Sequence, residues 1–167
     1  MLAGLAGCIN ASALEHDPDA MLIDGELDEP VWNTTAVRGV FAGDGGEAIA
    51  RPYSEVRAFV RGDAVYVGLY AADEDIESTD RFELTVGTVA VSLSAAGSSS
   101  DARVRAGVDR DGTLDDPRDD DEEWVVEAAL PVAALGAPPW ALRASRCDTT
   151  HAGHRHCGSW STVLTAR

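Results

Sequence analysis

From Met21 to Leu164 the chain runs through short stretches in which apolar and polar residues alternate. "SEVRAFV" (54–60) sets Val56, Ala58 and Val60 on one side. "AVYVGLYAA" (64–72) sets Val65, Val67 and Leu69 on one face and Tyr66 and Tyr70 on the other. A period of two is that of a strand with one buried face. The break between these runs, "RGD" (61–63), is a hairpin-turn signal. Further strands are predicted over 81–87, where Gly87 closes the run, and over 88–97, 101–108, 123–132, 140–147 and 158–164. Short helical turns are predicted in "LDEPVWNT" (27–34), with Trp32 plugging the core, and in "PVAALG" (131–136). Many short strands with glycine- and acid-rich turns predict an all-β fold: a single antiparallel β-sandwich, jelly-roll-like, with one or two short helical turns.

The length, 167 residues, suits one domain. "INASALEHDPD" (9–19) reads as a tether, so the expected division is a leader and tether over 1–19 and the sandwich over 20–167. "LAGC" (5–8) resembles a bacterial lipoprotein cleavage box, in which Cys8 would carry the lipid. Upstream there is no basic start and only a brief apolar run, so the segment reads as a truncated lipoprotein-like signal, with a disordered apolar stub as the alternative. If Cys8 is lipidated, Cys147 and Cys157 remain as one pair, and an exported compartment is where such a pair oxidises. The expected location is therefore the cell envelope or the outside of the cell. No segment is long enough to span a membrane as a helix.

Charge narrows the partners. The formal net charge is −16, and all thirteen basic residues are arginine. Such a chain repels phosphate backbones and anionic lipid surfaces, which argues against nucleic acid as a partner. The hydrophobic content of 45% is too high for a disordered chain.

Four groups of residues carry candidate chemistry. His151, His154 and His156 lie between Cys147 and Cys157. They suit a transition metal, but the spacing fits no usual finger geometry, and paired cysteines would leave them as solvated loop residues. The acidic loop "DRDGTLDDPRDDDEE" (109–123) offers Asp109, Asp111 and Asp115 as oxygen ligands for calcium, with a solvated loop as the alternative. For catalysis there is no G-x-S-x-G, no H-E-x-x-H and no phosphate-binding glycine loop, so no enzyme is expected. Among the tryptophans, Trp32 and Trp124 read as core, and Trp140 as core or rim. Trp160 is either an inward strand residue or an exposed ring on which a sugar stacks.

Two phrases resemble a known family. "LIDGELDEPVWNTTA" (22–36) is similar to the opening of carbohydrate-binding module family 9, and "EEWVVEAALPVAALG" (122–136) to a later segment of it. "DAVYVGLYAADEDI" (63–76), "DRFELTV" (80–86) and "SW" (159–160) follow the family's order, so the resemblance covers about residues 20–164. It implies a β-sandwich without catalysis, a carbohydrate ligand and bound calcium. By motif position it implies that Trp160 stacks the sugar while Glu83 and Arg105, or else Arg103, hydrogen-bond it. The family's first tryptophan is absent, since the chain reads "IEST" at 76–79. Tyr53 and Tyr70 are the aromatic residues that could replace that wall. The resemblance also implies that a disulfide-closed loop from Cys147 to Cys157 positions Trp160, with the histidines on its rim. The alternative is a structural or protein-interaction sandwich that has lost the sugar site.

Overall fold

A computed structural model describes residues 21–118, 120–149 and 153–166. Cys8, the tether and His151 lie outside the described residues. Ten strands form two five-stranded antiparallel sheets. They are β1 (Val37–Val40), β2 (Ala42–Gly43), β3 (Ser54–Arg61), β4 (Ala64–Ala72), β5 (Arg81–Val86), β6 (Val89–Ser94), β7 (Arg105–Asp111), β8 (Glu123–Pro131), β9 (Trp140–Thr149) and β10 (Arg155–Leu164). The first sheet runs β1-β3-β4-β8-β7 and the second β2-β10-β9-β5-β6. One α-helical turn, α1 (Pro30–Thr34), and one 3-10 turn (Val132–Ala134) sit where helical turns are expected. Among the described residues, no helix is long and apolar enough to cross a membrane.

Alternation builds the core. In the first sheet Val56, Leu69, Val126 and Val108 stand in one cross-strand row, and Ala58, Val67, Ala128 and Ala106 in the next. In the second sheet Leu84 and Ala144 share a row, as do Val86 and Leu142. These inner faces meet in one cluster that also holds Trp124 and Trp140. Gly62 takes φ +59° in the two-residue turn between β3 and β4, where a type II′ hairpin needs a glycine.

Trp32 is fully buried, but it is not part of the inter-sheet cluster. Residues 22–34 instead lie over the outer face of the first sheet. Leu27 sits where a side chain on Gly68 would be, and the backbone of Ile23 sits against Gly107. Gly25, at φ +101°, comes so close to β7 that a Cβ there would lie 2.1 Å from the Asp109 nitrogen. Glu127 of β8 fastens this layer. Its carboxylate accepts hydrogen bonds from the Asp24 and Gly25 amides, at 3.0 and 3.2 Å, and from the Trp32 indole at 2.9 Å. The Trp32 ring meets Phe59 edge-on at 4.8 Å. The two most specific phrases, "LIDGELDEPVW" and "WVVEAALP", are therefore one structural unit.

Some elements differ from the sequence-based expectation. Strands β1 and β2 were not expected. Their short runs, "VRGV" and "AG", show no clean alternation. The strand expected over 101–108 starts only at Arg105. The Asp101 carboxylate takes the Arg103 amide and guanidinium, a local bond that favours a turn over a ladder. The segment from Cys147 to Cys157 is a hairpin extension rather than a loop. Cys147 pairs directly with Cys157, Asp148 with His156 and Thr149 with Arg155. The Cys147–Cys157 disulfide is formed, as expected.

Candidate functional site

The residues expected to make the sugar site do not meet. Glu83 points outward from the second sheet, in a row with Ser92, Ser145 and Ser159. Its Oε1 accepts a hydrogen bond from the Ser92 hydroxyl at 3.1 Å and lies 3.4 Å from Arg81 Nε. Trp160 shares its row with Ala144 and Leu84, so it points the opposite way, into the sandwich. Its ring packs on the core and lies over Gly39 of β1, where a Cβ would come within 1.9 Å of Nε1. The disulfide stands on the outward side of the hairpin and does not set this ring. Arg105 lies on β7, at the edge of the other sheet, and is exposed. Arg103 is bound to Asp101 at 2.6 Å.

The expected calcium ligands do not gather either. Asp109 lies on β7 beneath Gly25. Asp111 ends that strand, and its carbonyl accepts the Glu122 amide. Asp115, at φ +62°, accepts the Ser78 amide at 2.8 Å and gives its own amide to the Ile76 carbonyl. Asp121, buried, accepts the Ile76 and Thr113 amides at 2.6 and 2.9 Å. Asp115 and Asp121 thus tie the acidic loop to residues 76–78. Among the described residues, the carboxylates that converge are Asp73, Asp80 and Asp148, and Asp109, Asp111 and Asp115 are not among them.

A different cluster holds the end of the sandwich together. Continued alternation along β9 turns Arg146 and Asp148 inward after Leu142 and Ala144. Asp73 follows Leu69 and Ala71 to the same interior. Arg146 Nη2 lies 2.5 Å from Asp73 and 3.0 Å from Asp148, and Nη1 bonds the Ala72 carbonyl at 3.0 Å. The Trp124 indole donates to Asp73 at 3.0 Å, and the guanidinium lies over the Trp124 ring at 5.8 Å. Asp80 brings a third carboxylate, and one oxygen from each of Asp73, Asp80 and Asp148 lies within 4.8 Å of the others. A guanidinium already bonds two of these three carboxylates, so Arg146 is their built-in counter-ion.

Burial dominates the ionisation of this group. It pushes Asp73 and Asp148 above the ordinary carboxylate range even against the attraction of Arg146. Asp80 rises to about 7, chiefly through burial, with the Glu77 amide opposing. Burial lifts Glu127 to about 7 as well, against the amides of Gly25 and Asp24. A carboxyl whose folded pKa is raised stabilises the fold fully below its ordinary value, and that contribution is lost as pH rises through the folded one. The melting temperature should therefore fall between about pH 5 and pH 8, and Glu127→Gln should flatten the slope. Calorimetric melting across that range checks this, and a melting temperature that rises with pH would refute it. Asp101 and Asp116 shift downward through their arginine partners, an effect confined to more acid conditions.

Three hollows surround the Arg146 cluster. An outer cleft of about 300 Å³ lies over β5 and the β9–β10 hairpin. Glu83, Arg81, Ser145, Thr149 and Arg155 line it, with Asp75, Glu77 and Asp80 on the neighbouring loop. An end cleft of about 420 Å³ runs between Pro52, Tyr53, Glu74, Glu122 and His156. A niche of about 10 Å³, bounded by Arg146 and Asp148, lies behind Arg51, Pro52 and His156. Of the three histidines, His154 and His156 are described. Their rings are 6.5 Å apart at the hairpin, and neither belongs to the converging carboxylate group. Sequence reasoning missed the Arg146 cluster, although the alternation of "WALRASRCD" places both Arg146 and Asp148 on the inner face.

No family model matches the chain, and no curated protein matches it.

Proposed function

We propose that this domain is a non-catalytic carbohydrate-binding module whose ligand lies in the outer cleft over Glu83. The observation that supports this reading is the composition of that cleft. The carboxylates of Glu83, Asp75, Glu77 and Asp80, the guanidiniums of Arg81 and Arg155, and the hydroxyls of Ser145 and Thr149 surround a space of about 300 Å³. Charged acceptors and bidentate donors side by side suit the paired hydroxyls of a sugar ring. Arg81 and Arg155 take the role that the resemblance gives to Arg105, which lies on the other sheet. The lipoprotein-like "LAGC" at 5–8 fits display at a cell envelope.

One observation favours the rival reading of an interaction domain that has lost the site. Trp160, Glu83 and Arg105 occupy three separate environments, and among the described residues the outer cleft has no aromatic wall. Titration calorimetry against neutral mono- and oligosaccharides separates the two. Saturable binding that weakens at least about tenfold in Glu83→Gln is the expected result, the equivalent of one lost charged hydrogen bond. Absence of heat from every sugar, in protein shown to be folded, would leave the interaction domain as the better account.

A further inference from the structure

The end cleft carries a second set of observations, independent of Glu83. Its wall is Tyr53, a ring held from two sides. The phenol donates to Glu55 at 3.0 Å, and the ring meets Tyr70 edge-on at 6.0 Å. An aromatic face fixed in this way loses little freedom when a ligand packs on it. Pro52 continues the apolar surface, and His156, exposed on the hairpin, faces it.

Behind the cleft lie two unsatisfied atoms. Arg146 Nε and Asp148 Oδ2 are buried and have no hydrogen-bond partner among the described residues, and both residues are at least nine-tenths buried. A buried donor or acceptor left unmade loses its hydration without recompense, so a native protein rarely leaves such a pair unanswered. One atom is a donor and the other an acceptor. A hydroxyl group answers both at once, accepting from Arg146 and donating to Asp148. The niche between them is about the size of one oxygen. It shares Arg51, Pro52 and His156 with the end cleft. The carboxylates of Glu74 and Glu122 at the cleft disfavour an anion.

We propose that the end cleft is a second binding site, for an uncharged polyhydroxylated ring: the ring lies against Tyr53 and Pro52, and one hydroxyl enters the niche between Arg146 and Asp148. The choice of a sugar rests on the carbohydrate reading above, but the two clefts share no lining residue; Arg146, which bounds the niche, also touches the outer cleft. Arg155 and His156 are successive residues on β10, one lining each cleft, so the hairpin stands between the two sites.

The test is calorimetry of the whole chain against glucose, galactose, mannose and glucuronate. The wild type, Tyr53→Ala, His156→Ala and Glu83→Gln are compared, each first shown to melt cooperatively. Wild type should bind two equivalents of a neutral hexose and reject glucuronate at the end cleft. Tyr53→Ala should weaken one of the two sites at least about tenfold, and His156→Ala, on an exposed side chain, should weaken the same one. Glu83→Gln should weaken only the other. A single site that ignores both Tyr53→Ala and His156→Ala but responds to Glu83→Gln would overturn this inference and leave the outer cleft standing. A single site with the reverse responses would support the inference and overturn the outer cleft. Binding of no neutral hexose would overturn both, and would make the niche the seat of a single buried water.

Discussion

Arg146→Met should lower the unfolding free energy by about 3–5 kcal/mol, the range expected when one partner of a buried ion pair is removed. The guanidinium is 2% exposed and bonds Asp73, Asp148 and the Ala72 carbonyl. Without it, three converging carboxylates lose the guanidinium that bonds two of them. Burying like charges is costly enough that they would take up protons instead, so the variant should regain stability on acidification. Combining Arg146→Met with Asp73→Asn and Asp148→Asn should recover much of the loss, because the uncompensated charge is then gone. Urea unfolding at pH 7.5 and pH 5 measures both effects. A loss below about 1 kcal/mol at pH 7.5 would show that the cluster is solvated and not a structural centre.

Trp32→Ala should cost a comparable amount, about 3–5 kcal/mol. Trp32 is fully buried although it lies outside the inter-sheet core. Its ring fills the layer between residues 22–34 and the first sheet, against Phe59. Its indole also joins Glu29 and Glu127, at 3.0 and 2.9 Å. Removing it opens a cavity and takes one of three donors from a buried carboxylate. Trp32→Phe keeps most of the volume and should cost less, through the lost hydrogen bonds alone. Equal losses for the two variants would mean that hydrogen bonding, not packing, holds this layer.

The strands were the most legible part of the sequence. In "AVYVGLYAA" and "EWVVEAALP" apolar residues follow a strict period of two or run unbroken, and both strands lie near the middle of a sheet. Such strands must bury one face or both, so composition and position agree. Strands β1 and β2, each at one edge of its own sheet, were not legible, because an edge strand held by backbone bonds needs little apolar side chain. The hairpin tip failed for a related reason. "CDTTHAGHRHC" has no apolar alternation, and its pairing is set by the ladder and the disulfide.

The site was harder to read than the fold. Trp160 shares the parity of Leu164, an apolar residue four positions on, and that pattern places it inward. The resemblance suggested the opposite face. Arg146 and Asp148 also follow an inward parity, but charged residues are rarely buried unless paired. Their partner, Asp73, is seventy-three residues from Arg146, so nothing local in the sequence announces the pairing. The phrases that carry the resemblance most clearly, around Trp32 and Glu127, are explained by their contact with each other. They mark how the sheet is capped.

Nuclear magnetic resonance titration of the labelled domain with the tightest-binding neutral sugar tests the central claim most directly. The account predicts that shifts concentrate at the hairpin end, at Glu83, Ser145, Thr149 and Arg155, and at Tyr53 and His156. Arg105 on the far sheet should stay still. Shifts centred on Arg105, or none at saturating sugar, would contradict it.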